Sequence, residues 1–275
     1  MSSIIQYAPQ AIAQTKNTTT TKQPAQPSRK PPARQEPPAR KKPRSQPVFV
    51  PPKVPKGLTP VPGRRRGMGS RNTCPRVPIS LTALVPGEEL PISNKTGKST
   101  AQIVGGLTTL EKPTFWFYVP YTTQNLVNSS AEFSLQDSRG MDVYRKKAIA
   151  LPDKPGVIGI SLPNTVKSLK IGQTYRWYFK VRCKQQTASL PVYVEGDIQR
   201  INLNARVRQQ LTAASNPRQK VIIYATEGIW FDALNMLAQL RQSSQNVSVE
   251  KDWQILLQSV DLNNIDTAPI VNSPL

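Results

Sequence analysis

Histidine is absent from this 275-residue chain, and cysteine occurs only twice. The first absence removes imidazole bases, Ser–His and Cys–His catalysis of the usual kind, and histidine-containing zinc sites. The second leaves no CxxC pair, because Cys74 and Cys183 lie more than a hundred residues apart; a metal or redox site built on neighbouring thiols is excluded with it. No apolar run approaches the roughly 20 residues that span a bilayer. Acid is scarce too: 16 Asp and Glu face 37 Lys and Arg, a formal net charge of +21.

The positive excess is uneven. Residues 1–72 hold fifteen of the Lys and Arg against Glu36 alone, fourteen of the 27 prolines, and only Tyr7 and Phe49 as aromatics. So little apolar surface cannot offset the entropy of ordering, and the near-repeat PPARQE–PPARKK favours extended polyproline II. A stiff, disordered, basic Pro-rich arm is expected over 1–72. Its clusters Arg40, Lys41, Lys42 and Arg44, then Arg64, Arg65, Arg66 and Arg71, are the candidate polyanion-binding residues. With base stacking nearly unavailable, nucleic acid would be held only non-specifically and salt-sensitively. Anionic polysaccharide, lipid headgroups or an acidic protein surface would serve as well. The plain alternative is a solubilising linker.

The start, MSSIIQYAPQAIA, lacks the basic beginning and long apolar run of a secretory signal, yet Ala11-Ile12-Ala13 has the small-x-small form of a cleavage site. It is either a chance triplet or the remnant of a longer leader over residues 1–13. The second reading gives an expected periplasmic or extracellular location.

The remaining two hundred residues suffice for a core. Apolar alternation marks strands at 77–85, 99–104, 114–119, 132–136, 141–149, 157–162, 174–183 and 192–201. Asp137-Ser138-Arg139-Gly140 suits a hairpin, and 152–156 and 170–172 suit tight connections. With no helical pattern between them, the strands are expected to be antiparallel. The fold class is mainly β: an immunoglobulin-like β-sandwich over 73–201. In GQTYRWYFKVRC the inward face is Tyr175, Trp177, Phe179, Val181 and Cys183. Cys74 stands where the arm ends, so a Cys74–Cys183 bridge would clamp the start of the domain to an inner strand, as an oxidising compartment allows. The other possibility is two reduced thiols, one buried as a small hydrophobe.

Beyond Ile201 the period changes. Asn216-Pro217 reads as an N-cap followed by proline at the first helical position. Trp230, Ala233, Leu234, Leu237 and Leu240 line one face of a helix from about 229 to 242, and Ser248 is the expected cap of another carrying Trp253, Leu256, Leu257 and Val260. Three or four helices therefore form a C-terminal appendage over 202–275, packed on the sandwich. Trp177, Phe117, Trp230 and Trp253 are expected in the core.

The ordered strings TFWFYVPY, EFSLQD, PGVIGISLP, GQTYRWYF, VEGDIQRI and GIWFDAL, with the lead-in RRRGMGSRNTCP, resemble a cyanobacterial family catalogued as domain of unknown function 928. The similarity runs from about Gly63 to the C-terminus. It implies an exported protein with a basic, Pro-rich lead-in and no assigned activity.

Candidate chemistry is sparse. Glu195 and Asp197 fall two apart on one strand and share a face, as a catalytic carboxylate pair would; a solvated strand edge is the preferred account of them. Asp137 and Asp142 flank a turn without the spacing of a calcium loop, and GVIGIS lacks any phosphate-loop pattern. No metal or cofactor is expected. The reading is a non-enzymatic interaction or scaffolding module of the cell envelope, its partner an unidentified protein or anionic polymer. The alternatives are a nucleic-acid-binding protein acting through the arm and, third, an envelope hydrolase using Glu195 and Asp197.

Overall fold

Among the described residues, short alternating segments punctuated by turn residues make nine strands, and periodic apolar spacing after Arg200 makes four helices. The structure is a computed structural model, describing residues 44–52, 62–67, 74–94, 97–124, 126, 129–183, 190–244 and 246–271. The strands are β1 (Thr82–Ala83), β2 (Gly87–Asn94), β3 (Gly97–Thr108), β4 (Thr114–Val119), β5 (Ser130–Gln136), β6 (Asp142–Ile149), β7 (Gly156–Ser161), β8 (Thr174–Arg182) and β9 (Val192–Arg200). The helices are α1 (Ala205–Ala213), α2 (Pro217–Thr226), α3 (Trp230–Ser243) and α4 (Val247–Gln258).

Two sheets result. The small one runs β1-β4-β7 and the large one β2-β3-β9-β8-β5-β6. Two features depart from the expected all-antiparallel, immunoglobulin-like arrangement. First, β3 and β9 are parallel, with Gly105 opposite Asp197 and Thr108 opposite Arg200; most of the sheet's chain lies between them, long enough for the crossover a parallel pair needs. Second, β2 is a strand that alternation did not reveal, because Pro91 and the acids Glu88 and Glu89 interrupt it. It lies at the sheet edge, where a proline's missing N–H is tolerated. The expected strand at 77–85 contracts to the two residues of β1.

The sheets meet through aromatic side chains. Phe117 of β4 stacks on Phe179 of β8 with ring centroids 4.5 Å apart, and Phe115 meets Phe133 at 4.9 Å. Tyr175, Trp177, Phe179, Val181 and Cys183 are all buried, so the inward face of β8 is the one its alternation specifies. Gly196 lies under the Trp177 indole: a Cβ there would come within 2.6 Å of its Cζ2 and of the Val104 carbonyl oxygen. Asp137 closes the β5–β6 hairpin, its Oδ1 accepting from the Arg139 and Met141 amides. Turn formation is its role.

Asn204, Asn216 and Asn246 cap α1, α2 and α4, each accepting a backbone amide. The cap of α4 is therefore Asn246 and not Ser248, whose own amide donates to it at 2.9 Å. GIWFDAL joins helices to sheets. Gly228 turns the chain at φ +75°, the Trp230 indole donates to the Leu84 carbonyl at 2.8 Å, and Phe231 packs on Phe115. The buried Asp232 carboxylate accepts from the Thr108 hydroxyl at 2.7 Å and the Thr109 amide at 3.0 Å, and also from the Thr109 hydroxyl. Trp177, Phe117, Trp230 and Trp253 all lie in one buried cluster shared by sheets and helices.

Cys74 and Cys183 form a disulfide with Cα atoms 5.2 Å apart. Closing a loop of this length stabilises by about 4–5 kcal/mol in the chain-entropy model.

Two stretches within 1–72 belong to the fold, which the arm's average composition concealed. Phe49 is buried edge-on against Trp230 at 5.1 Å; its amide donates to the Ser259 hydroxyl and the Val50 amide to the Ala225 carbonyl. Pro52 closes on Gly228, where a Cβ would be 3.0 Å from Pro52 Cδ. Residues 62–67 form the second stretch: Gly63 and Arg64 hydrogen-bond to Gln102 and Glu195 of the large sheet, and Gly67 and Arg65 to Leu81 and Ala83 beside the small one. The remainder of the expected disordered arm lies outside the described residues. Phe49→Ala should lower unfolding free energy by about 3 kcal/mol, the cost of a large-to-small change in a packed site, as read by urea titration; a loss below about 0.5 kcal/mol would mean that this segment is not seated.

Candidate functional site: the outer face of the large sheet

Because Trp177, Phe179 and Val181 enter the core, pleating turns Arg176, Tyr178 and Lys180 outward. Register then sets Asp197 opposite Arg176, Glu195 opposite Tyr178 and Tyr193 opposite Lys180. The lead-in adds Arg64, whose backbone exchanges two hydrogen bonds with Glu195, each 2.9 Å. β5 and β6 extend the face with Glu132 and Arg145, paired at 2.7 Å.

The carboxylate pair is locked. Arg176 Nη2 donates to Glu195 Oε2 at 2.8 Å and to the Pro62 carbonyl at 2.5 Å, while Nη1 reaches Asp197 Oδ1 at 3.4 Å. Its Nε donates to the Tyr178 hydroxyl at 3.1 Å. Burial opposes the charge on Arg176, but the hydrogen bond to Glu195 and the attraction of both carboxylates hold its pKa above the ordinary value. Asp197 moves the other way: burial, with the charge of Glu195, outweighs Arg176 and pushes it up to about 6. One guanidinium thus ties both acids to the lead-in backbone.

The candidate arginines divide. Arg64 lays its guanidinium over the Tyr193 ring, 4.5 Å from the centroid. Arg65 is buried at 5% exposure and donates to the Val260 carbonyl at 2.5 Å, with burial and then Arg66 lowering its pKa. A polyanion on the surface cannot reach it, which corrects its place among the polyanion-binding residues: its side chain is a strut from the lead-in to the helical region. Arg66 is exposed, 3.4 Å from the Asp261 carbonyl, and Arg44 is exposed at the head of the docked segment. Arg40, Lys41, Lys42 and Arg71 lie outside the described residues.

Arg176, Tyr178, Lys180 and Tyr193 were not singled out from sequence, although the alternation that points Trp177 inward points them outward. A cleft of about 680 Å³ beside Arg241, Ser244 and Glu250 is a weaker candidate: Arg241 is already engaged by Glu250 at 2.7 and 2.8 Å, by the Ala268 carbonyl, and by the Trp253 ring.

Fold and face together define a two-sheet β domain with a C-terminal helical layer and a basic lead-in threaded between its sheets. The model of the family described as Domain of Unknown Function (DUF928) matches residues 66–270, and the chain belongs to that family. No curated protein and no solved structure matches it. The match begins at Arg66, so Phe49 and Arg64 lie ahead of it although both pack against it.

Asp197 makes stability pH-dependent. Its folded pKa near 6 stands above the ordinary 3.8, so the native state holds a proton that the unfolded chain has released. That contribution is complete below about 3.8 and is lost as pH rises through about 6. Asp197→Asn should therefore flatten stability between pH 4 and 7, measured by urea titration at each pH; an unchanged slope would show that Asp197 ionises normally.

Proposed function

We propose that the protein is a non-enzymatic interaction or scaffolding module of the bacterial cell envelope, engaging an anionic polymer or an acidic partner. The observation that carries this reading is the wiring of the large sheet's outer face. Its Glu195 and Asp197 are committed to Arg176, which also donates to the Pro62 carbonyl, whereas Arg64 and Lys180 rest on tyrosine rings with no ion pair among the described residues. A hydrolase needs one carboxyl free to donate a proton and a second facing substrate; a shared guanidinium between them suits a structural clamp. Lone cations beside aromatic rings suit anion capture.

The disulfide supports a periplasmic or extracellular location, and no helix among the described residues is long and apolar enough to cross a membrane. Fractionating cells that make the protein, with thiols blocked before lysis, tests the reading. The expected result is a chain without free thiol in the envelope fraction, released by raised salt, with the polymer it leaves unchanged in length. A cytoplasmic chain with both thiols free would contradict it. Polymer shortening abolished by Glu195→Gln would replace it with the hydrolase.

A further inference from the structure

We infer that the outer face of the large sheet around Tyr178 and Tyr193 binds an anionic polysaccharide, its sugar rings on the two tyrosines and its acidic groups on Arg64 and Lys180. This rests on the envelope-module reading above and gives it a surface.

Three chain segments assemble the site. β8 supplies Tyr178 and Lys180, β9 supplies Tyr193, and the lead-in supplies Arg64. Register makes the tyrosines diagonal neighbours, since Tyr193 is two residues from Glu195, the partner of Tyr178; such positions lie about 7–8 Å apart. Both rings are partly exposed, and the helices pack on β3 and β4 rather than on these strands. Arg64 lies against the Tyr193 ring, and Arg176 and Lys180 against that of Tyr178; the part of each phenol left exposed offers apolar surface for the C–H groups of a sugar and a polar edge for its hydroxyls. Tyr178 is pre-positioned, its oxygen accepting from Arg176 Nε.

Charge selects the ligand class. The Arg64 guanidinium lies 4.5 Å from the Tyr193 centroid and the Lys180 ammonium 5.1 Å from that of Tyr178. Arg176 and Arg145, by contrast, are neutralised by Glu195, Asp197, Glu132 and Asp142. Arg64 and Lys180 therefore stand on this face without an ion pair among the described residues, beside carboxylates that accept hydrogen bonds. A uronate-type chain, with acidic groups spaced by hydroxylated rings, matches this mixture. A nucleic-acid backbone carries one charge per unit, as a uronate chain does, so the sugar surface resting on the tyrosines, not charge density, separates the two. The chain's +21 charge gathers any polyanion to the surface; the sheet face discriminates among them.

The test is calorimetric titration of the full, disulfide-bonded chain with a polymannuronate hexamer, a neutral cello-hexaose and a thymidine hexanucleotide. Three variants are compared: Tyr178→Ser with Tyr193→Ser, Lys180→Gln alone, and Arg40→Gln, Lys41→Gln, Lys42→Gln with Arg44→Gln in the arm. Each is first checked for cooperative unfolding, and Lys180→Gln, at a partly exposed position, keeps the test decisive should the double variant not fold. The uronate hexamer should bind best, with about tenfold loss in the tyrosine variant, several-fold loss and a shallower salt slope in Lys180→Gln, and, in the arm variant, a loss shared equally by the hexamer and the hexanucleotide, so that the preference for the hexamer is kept. Normal hexamer binding by a folded tyrosine variant, or by Lys180→Gln, would overturn the site. So would tighter binding of the hexanucleotide. Loss only in the arm variant overturns this surface but leaves the envelope reading standing; failure of every variant and the parent to bind any acidic ligand overturns both.

Discussion

Residues 62–67 pass from one sheet to the other, and the rest of the architecture depends on that passage. At its start the chain lies between β3 and β9, bonded to Gln102 and Glu195; at its end it pairs beside β1 at Leu81. Its isolated bridges to Ile103, Glu195 and Thr82 hold the two sheets together. The backbone approach is so close that a Cβ on Gly63 would fall 2.8 Å from Val104 Cβ, and one on Gly67 2.7 Å from Val192 Cγ1. Only glycine fits there. Arg65, between them, reaches the Val260 carbonyl beyond α4, so the same six residues tie both sheets to the helical region.

Other ties reinforce this one. Cys74, just downstream, is fixed to the end of β8, and Arg176 holds the Pro62 carbonyl from the sheet's outer face. Asp232 joins α3 to the end of β3 through Thr108 and Thr109; burial raises its pKa while those hydrogen bonds work against the rise. Phe49 adds a peg from further upstream against Trp230. Each tie connects segments far apart in sequence, which is what keeps the two sheets and the C-terminal helices in one core. The same wiring produces the candidate site: Arg64 stands over Tyr193 because its backbone is paired with Glu195.

Much of this was legible in the residues. Strict alternation in TYRWYFKVR set both faces of β8, and Asn216-Pro217 marked the start of α2 at its first residue. The positions of the cysteines, one at the end of a core face and one where the strands begin, favoured the bridge over two reduced thiols, and the bridge is present. What escaped had identifiable causes. β2 was masked by Pro91, which a central strand would not accept but an edge does. The parallel β3–β9 pair is set by long-range topology, to which local alternation is blind. Phe49 and Arg65 were averaged into a Pro-rich, basic composition, since statistics over seventy residues dilute one aromatic peg and six residues of isolated bridges. The role of Arg176 requires knowing that Asp197 sits opposite it, and cross-strand register is not written in either strand alone.

Native-state hydrogen exchange at the lead-in tests the central claim most directly. The amides of Arg64 and Gly67, which donate to Glu195 and Leu81 at 2.9 and 2.7 Å, should exchange only through global unfolding, with the same protection as the Trp177 and Phe179 amides in the core of β8. Exchange of Arg64 and Gly67 at the rate of an unstructured peptide, while β8 stays protected, would show that the basic lead-in is not part of the sheets and would contradict the account.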